Sequence, residues 1–222
     1  MTIIIIALLL WLFMIYIVMI SIIISFISDK CMNNICHKLD NSKTNSIILY
    51  GSIILSMTMV YSKYGLTTKS ISYLSLIPFI IIISIIDYHT TYIYDITILN
   101  GIIIQVMVFV IFIYTDFEEI SHMLAMLMGL ILAYIIYKTT KGLGEGDIGL
   151  YGLCALSLGK GYVVYMISLS FILASIYCIY KSFVKKDNIK EIPFAPFISL
   201  STLVIMITDY EILRMYFDII SS

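Results

Sequence analysis

An all-helical, multi-pass membrane protein is what this sequence predicts, and three observations predict it. Hydrophobic residues make up 61% of the 222 positions and charged residues only 12%, about half of the roughly 25% charged share of a soluble domain. Mean hydropathy is +1.06. The apolar residues fall in continuous runs, several of them beyond the ~18 that mark a spanning helix. They do not alternate with the period of two that a transmembrane barrel requires. The net charge of −1 says little about partners, since only the distribution of charge among loops is informative in such a protein. The lipid bilayer is one expected partner, and nucleic acid is not.

Eight apolar segments can be read, at about 3–27, 46–62, 71–86, 97–114, 121–137, 148–158, 162–183 and 194–208. About eight transmembrane helices are therefore expected. The first run lacks a positive n-region and a small-residue cleavage site, and it exceeds the h-region of a signal peptide, so it is expected to be the first span. The second, third and sixth segments are shorter than the ~20 residues a bilayer needs, so their helices should extend into the adjoining loops. Pro78 is expected to kink the third or to restart its central turn. The tail 209–222 interleaves apolar residues with Glu211, Arg214 and Asp218 and is expected to lie in the interface.

The loops set the orientation. Those after segments one, three, five and seven contain nine lysines, whereas the opposite side has Lys63, Lys69, Lys160 and Arg214. The positive-inside rule places the lysine-rich loops in the cytoplasm and the N-terminus outside. Cys31 and Cys36, with His37 beside the second, form a C-x4-C pair that is weak as a metal signal without a partner pair. These are expected to be ordinary loop residues, and no metal is expected.

The chemistry concentrates in Lys141-Gly-Leu-Gly-Glu-Gly-Asp147, where three glycines precede a carboxylate between two apolar segments. Glycine gives up helix propensity, permits positive φ and lets other groups approach closely. The run is expected to offer a bendable approach for a substrate backbone beside Asp147. Two further aspartates lie on the same lysine-rich side. Asp87 ends the third segment and Asp95 precedes the fourth. Two crossings separate Asp87 from Asp147, so parity puts both on one face of the membrane. Asp95 and Asp147 begin helices, where a carboxylate caps free N–H groups and complements the dipole; capping is the preferred reading of Asp95. Asp87 opposes the dipole at a helix C-terminus and meets a desolvation cost beside hydrocarbon, which makes it a candidate for function.

Two aspartates brought together hold one proton between them, because like charges a few ångströms apart resist joint ionisation. The ionised member can take a proton from water while the protonated member polarises a peptide carbonyl. That is aspartic proteolysis, with no cofactor required. The dipole argument assigns the ionised form to Asp147 and the proton to Asp87.

These residues resemble a known family. Gly142-Leu-Gly-Glu-Gly-Asp-Ile-Gly-Leu150 is similar to the GxGD motif of the type IV prepilin peptidases and, more distantly, of presenilin-like intramembrane proteases. Asp87-Tyr-His-Thr-Thr-Tyr-Ile-Tyr-Asp95 resembles the family's first aspartate motif, and Ile192-Pro-Phe-Ala-Pro-Phe197 its Ile-Pro-Phe-Gly-Pro segment. The three motifs occur in order across residues 71–208, which the resemblance makes the catalytic membrane domain, after N-terminal spans in 1–70 with a short cytoplasmic loop at 28–45. Tyr94 stands where the family has proline, and Gly149 where it usually has lysine.

The resemblance implies an aspartic endopeptidase with Asp87 and Asp147 as its catalytic pair. Gly144, Glu145, Gly146 and Asp95 would support substrate binding, although a solvated loop glutamate is the ordinary reading of Glu145. The enzyme would remove the basic leader of type IV pilin-like precursors at the cytoplasmic face of the inner membrane. The short 28–45 loop lacks the large domain that bifunctional members carry, so S-adenosylmethionine is a cofactor only if N-methylation of the mature pilin is retained. The alternatives are a proton- or ion-coupled transporter, which would place its carboxylates near mid-span, and an inactive pilus-assembly subunit.

Overall fold

The computed structural model describes residues 2–35, 43–111, 119–140, 142–184, 192–209 and 211. Among these the chain forms eight α-helices and no strand. They are α1 (Thr2–Ile35), α2 (Lys43–Tyr64), α3 (Thr68–Thr90), α4 (Asp95–Ile111), α5 (Glu119–Thr140), α6 (Glu145–Leu158), α7 (Val163–Val184) and α8 (Ala195–Thr208). A 3-10 turn at Lys160–Tyr162 leads into α7. Each apolar segment of the sequence has become one helix.

The number of crossings differs from the expectation. Among the described residues, five stretches are long and apolar enough to cross a bilayer: Ile15–Met32, Asn45–Tyr64, Thr68–Thr90, Ser121–Thr140 and Lys160–Phe183. Helices α4, α6 and α8 have 17, 14 and 14 residues. At about 1.5 Å per residue the two 14-residue helices reach roughly 21 Å, short of a hydrocarbon core of about 30 Å. Helix α4 is described only as far as Ile111, where the described residues break off. For α6 and α8 the length of the apolar run overstates the reach of the helix. Pro78 does not divide α3, which runs unbroken from Thr68 to Thr90 with the proline buried inside it.

Helix α3 is the centre of the bundle. It packs against α1, α2, α4, α6 and α8, and most of its length is buried. Ile77, Ile80, Ile83 and Ile86 of α3 share the core with Leu150 and Leu153 of α6 and Ile198 of α8. Lipid tails are as apolar as these side chains, so close van der Waals contact has to hold the helices together, and small residues permit it. Where α5 crosses α6, a Cβ on Gly129 would stand 2.8 Å from that of Ala155 and 3.0 Å from the Tyr151 carbonyl oxygen. On the reverse side of that crossing, a Cβ on Gly152 would meet Leu130 at 2.6 Å.

A polar network ties α3, α4 and α6 together at the bundle's interior. Ser72 Oγ donates to Gln105 Oε1 at 2.9 Å, and Gln105 Nε2 donates to the Ser72 carbonyl at 2.9 Å and to Ser75 Oγ at 3.0 Å. Ser72 Oγ also lies 3.2 Å from Ser157 Oγ. In surroundings without water these groups have to satisfy one another. At the start of α3, Lys69 pairs with Asp209 at 3.3 Å and Tyr162 donates its hydroxyl to the same carboxylate, clasping the end of α8. Asp87 lies at the other end of α3.

Candidate active site

Asp87 sits in the last turn of α3. The helix stops there because Thr91 adopts a left-handed conformation (φ 52°) and returns its N–H to the Asp87 carbonyl at 2.7 Å. The side chain, 4% exposed, turns the other way, and its Oδ2 accepts the N–H of Ala195 at 2.9 Å. Ala195 is the first residue of α8, and Pro196 follows at a position where a helix needs no N–H. Asp87 thus caps the N-terminus of a helix that begins 108 residues further on. Ser199 Oγ, bonded to the Ile80 carbonyl at 3.0 Å, fixes the following turn of α8 to α3.

Asp147 is the third residue of α6 and is 5% exposed. Its Oδ2 accepts the N–H of Gly144, the N-cap residue, at 2.9 Å. Gly144 has no side chain with which to return the bond, so only the carboxylate half of a capping box exists. The other oxygen, Oδ1, is buried without a hydrogen-bond partner. Buried polar atoms are usually satisfied, and an exception needs an explanation, catalytic work among them.

The two aspartates lie toward the same end of the bundle, because α6 runs back along α3 from Asp147 to Ser157, whose hydroxyl meets that of Ser72 near the start of α3. Ile93, in the linker between α3 and α4, packs against the residue before Asp147. A Cβ on Gly146 would lie 2.7 Å from the Ile93 Cβ, so the start of α6 seats directly on that linker. This differs from the expected role of the glycine run. Gly144 has φ −75°, and the positive-φ glycines are Gly65 and Gly159. The glycines nearest Asp147 serve close packing rather than a bend: Gly146 receives Ile93, and Gly149 faces Ile98 Cδ1 at a would-be 3.0 Å. A side chain at 149, where the resembled family has lysine, would push into α4.

The dipole argument separating the two carboxylates also loses its basis. Asp87 does end α3, but the N-terminus of α8 arrives against it, just as the N-terminus of α6 stands against Asp147. Both carboxylates therefore face the positive end of a helix. This contact joins residues that are distant in the chain. Ile192-Pro-Phe-Ala-Pro pointed to α8 as part of the site, but nothing in the sequence identified the Ala195 N–H.

Asp95 is the first residue of α4 and is exposed, in the first turn where it complements the dipole. It does not join the buried pair. With Glu145, Gly146 and Gly149 it lines a groove of about 410 Å³ between α4 and α6. Glu145 is exposed and held by the Tyr137 hydroxyl at 2.8 Å, a partner that sequence reasoning missed. A second groove, lined by Asn45, Tyr88, His89 and Pro196, adjoins Asp87 between α2, α3 and α8. An apolar cleft between α1, α3 and α4 has no carboxylate in its lining. Cys31 is on the exposed side of α1, and Cys36 and His37 lie outside the described residues.

Each of the two buried carboxylates is thus anchored through one oxygen to a backbone N–H. Comparison with protein families matches residues 74–179 to the type IV leader peptidase family. The matched stretch contains Asp87, Asp95 and Asp147 and stops short of Ala195. No curated protein and no solved structure matches the chain.

Proposed function

Because residues 74–179 match the type IV leader peptidase family, we propose that the chain is an aspartic endopeptidase whose working pair is Asp87 and Asp147. The observation that carries this reading is the convergence of two buried carboxylates from α3 and α6, one of them with an unbonded oxygen. One carboxylate, ionised, takes a proton from a water molecule. The resulting nucleophile attacks the peptide carbonyl, which the protonated partner polarises by a hydrogen bond. Collapse of the tetrahedral intermediate passes a proton to the leaving amine and returns the pair to its starting state. The backbone N–H groups of Ala195 and Gly144 keep one oxygen of each carboxylate in place, so that the pair is positioned before substrate arrives.

The substrates in this proposal are type IV pilin-like precursors, cut between a basic leader and the apolar helix that follows. The lysine-rich loops favour a cytoplasmic site in the inner membrane. Cleavage requires no cofactor. N-methylation of the new pilin end would need S-adenosylmethionine and is a separate question, answered by the mass of the mature N-terminus with and without that compound.

The decisive experiment is cleavage of a pilin-like precursor in membranes containing the wild type, Asp87→Asn or Asp147→Asn. The wild type is expected to release the leader and both variants to fail. Undiminished cleavage in either variant removes the pair from the mechanism. A transporter would instead leave the precursor intact with every variant.

A further inference from the structure

The groove between α4 and the first turns of α6 carries a second inference, which rests on the peptidase reading. Its walls are apolar, formed by Ile96, Ile98, Leu99 and Ile102, and Gly146 and Gly149 on the α6 side pack closely on Ile93 and Ile98. The charges in its lining are Asp95 and Glu145, both exposed and both negative. Gly146 lines the groove, and Asp147, the next residue, is buried outside its lining.

Helices α4 and α6 both begin at this groove, with Asp95 and Glu145 as their first residues. Two helix N-termini alone would favour an anion. A carboxylate at each start offsets that field and turns the rim toward cations. Tyr137 holds Glu145 in position from the end of α5. An apolar trough with a negative rim is complementary to an extended peptide that combines apolar side chains with lysine or arginine.

We propose that the α4–α6 groove binds the leader side of the precursor, with Asp95 and Glu145 pairing with basic side chains close to the bond that is cut. The two carboxylates determine which precursors are accepted and take no part in the proton transfers. Acidic side chains at helix starts also stabilise those helices, so the test has to read more than overall activity.

Asp95→Asn, Glu145→Gln and the double variant are assayed against a precursor with its natural basic leader and against one whose leader lysines and arginines are replaced by glutamine. Each enzyme substitution is expected to raise KM for the basic precursor about two- to fivefold, the worth of an exposed ion pair, with kcat little changed. The glutamine precursor should have a raised KM with the wild type, and the enzyme substitutions should then add nothing to it, which is the non-additivity of groups in contact. Raised salt should weaken the wild type toward the double variant. Equal effects on both precursors, or a fall in kcat with KM unchanged, would overturn the pairing and leave the peptidase reading intact. If the variants fail to fold, the wild type decides alone: an unaltered KM for the glutamine precursor sinks the proposal. A wild type that cuts neither precursor defeats the peptidase reading itself.

Discussion

The carboxylate of Asp87 accepts the backbone N–H of Ala195 at 2.9 Å, joining the end of α3 to the start of α8. The same group is thus a proposed acid–base catalyst and a helix cap, and two substitutions separate these roles. Asparagine keeps an oxygen that can accept the Ala195 N–H but cannot exchange a proton as a carboxyl does. Asp87→Asn should hold thermal stability in detergent near wild type while cleavage falls by about 10²–10⁴-fold. Asp87→Ala should lose cleavage and also about 1 kcal/mol of stability, the usual cost of removing a cap. Equal stability of the two variants would show that the contact with α8 contributes nothing.

The glycine run makes a graded prediction. A Cβ on Gly142 meets nothing nearer than Thr140 Oγ1 at 3.7 Å, whereas one on Gly146 meets the Ile93 Cβ at 2.7 Å. Gly142→Ala should leave cleavage within about twofold of wild type, as exposed substitutions commonly do. Gly146→Ala has to push α6 off the linker and shift Asp147 relative to Asp87. A displacement of that kind costs about 10²-fold in rate. Similar rates for the two variants would mean that the seat on Ile93 does not set the spacing of the pair.

The α5–α6 crossing predicts a purely structural effect. Gly129 faces the Tyr151 carbonyl oxygen, with 3.0 Å available to a Cβ, and a backbone atom cannot move aside as a flexible side chain can. Gly129→Val should cost about 1–3 kcal/mol, as overpacking does, seen as a lower unfolding temperature in detergent. Gly51, where nothing lies within 4 Å of a would-be Cβ, is the matched control and should tolerate alanine.

Helix positions were legible in the sequence because apolar runs and helices coincide in a chain this hydrophobic. The number of crossings was not, because run length overstates how far a helix of 14 residues reaches. Asp87 and Asp147 stood out as costly or unusual where they lie, and parity placed them on one side. What joins them was hidden. Ile93 gives no sign in the chain that it fills the space beside Gly146, and the Ala195 N–H becomes a partner of Asp87 only once α8 has folded back. For the same reason, an argument from the helix on which Asp87 lies was incomplete without the helix that points at it.

Two carboxylates sharing one proton predict a bell-shaped dependence of cleavage on pH. Activity should fall on the acid side as the ionised member gains a proton and on the alkaline side as the protonated member loses its own. The two apparent values belong to the pair and not to either residue. A rate rising to a plateau with a single limb would mean that one carboxylate acts alone.

The opposite end of the bundle predicts a pH effect on stability. Partial burial pushes the Asp209 carboxyl up, but the Tyr162 hydroxyl and the charges of Lys69 and Lys63 outweigh it and hold the group below its ordinary 3.8. A carboxyl lowered by folding stabilises the fold fully above its unfolded value, and that contribution disappears as pH falls through the folded value. Asp209 has a positive φ of 58°, a conformation asparagine tolerates about as well, so Asp209→Asn removes the charge with little backbone strain. Its unfolding temperature should lie below wild type at neutral pH, with the gap closing on acidification below about 4, near the ordinary aspartate value. A gap that stays constant to low pH would assign the loss to hydrogen bonding alone, and none of it to the ion pair with Lys69.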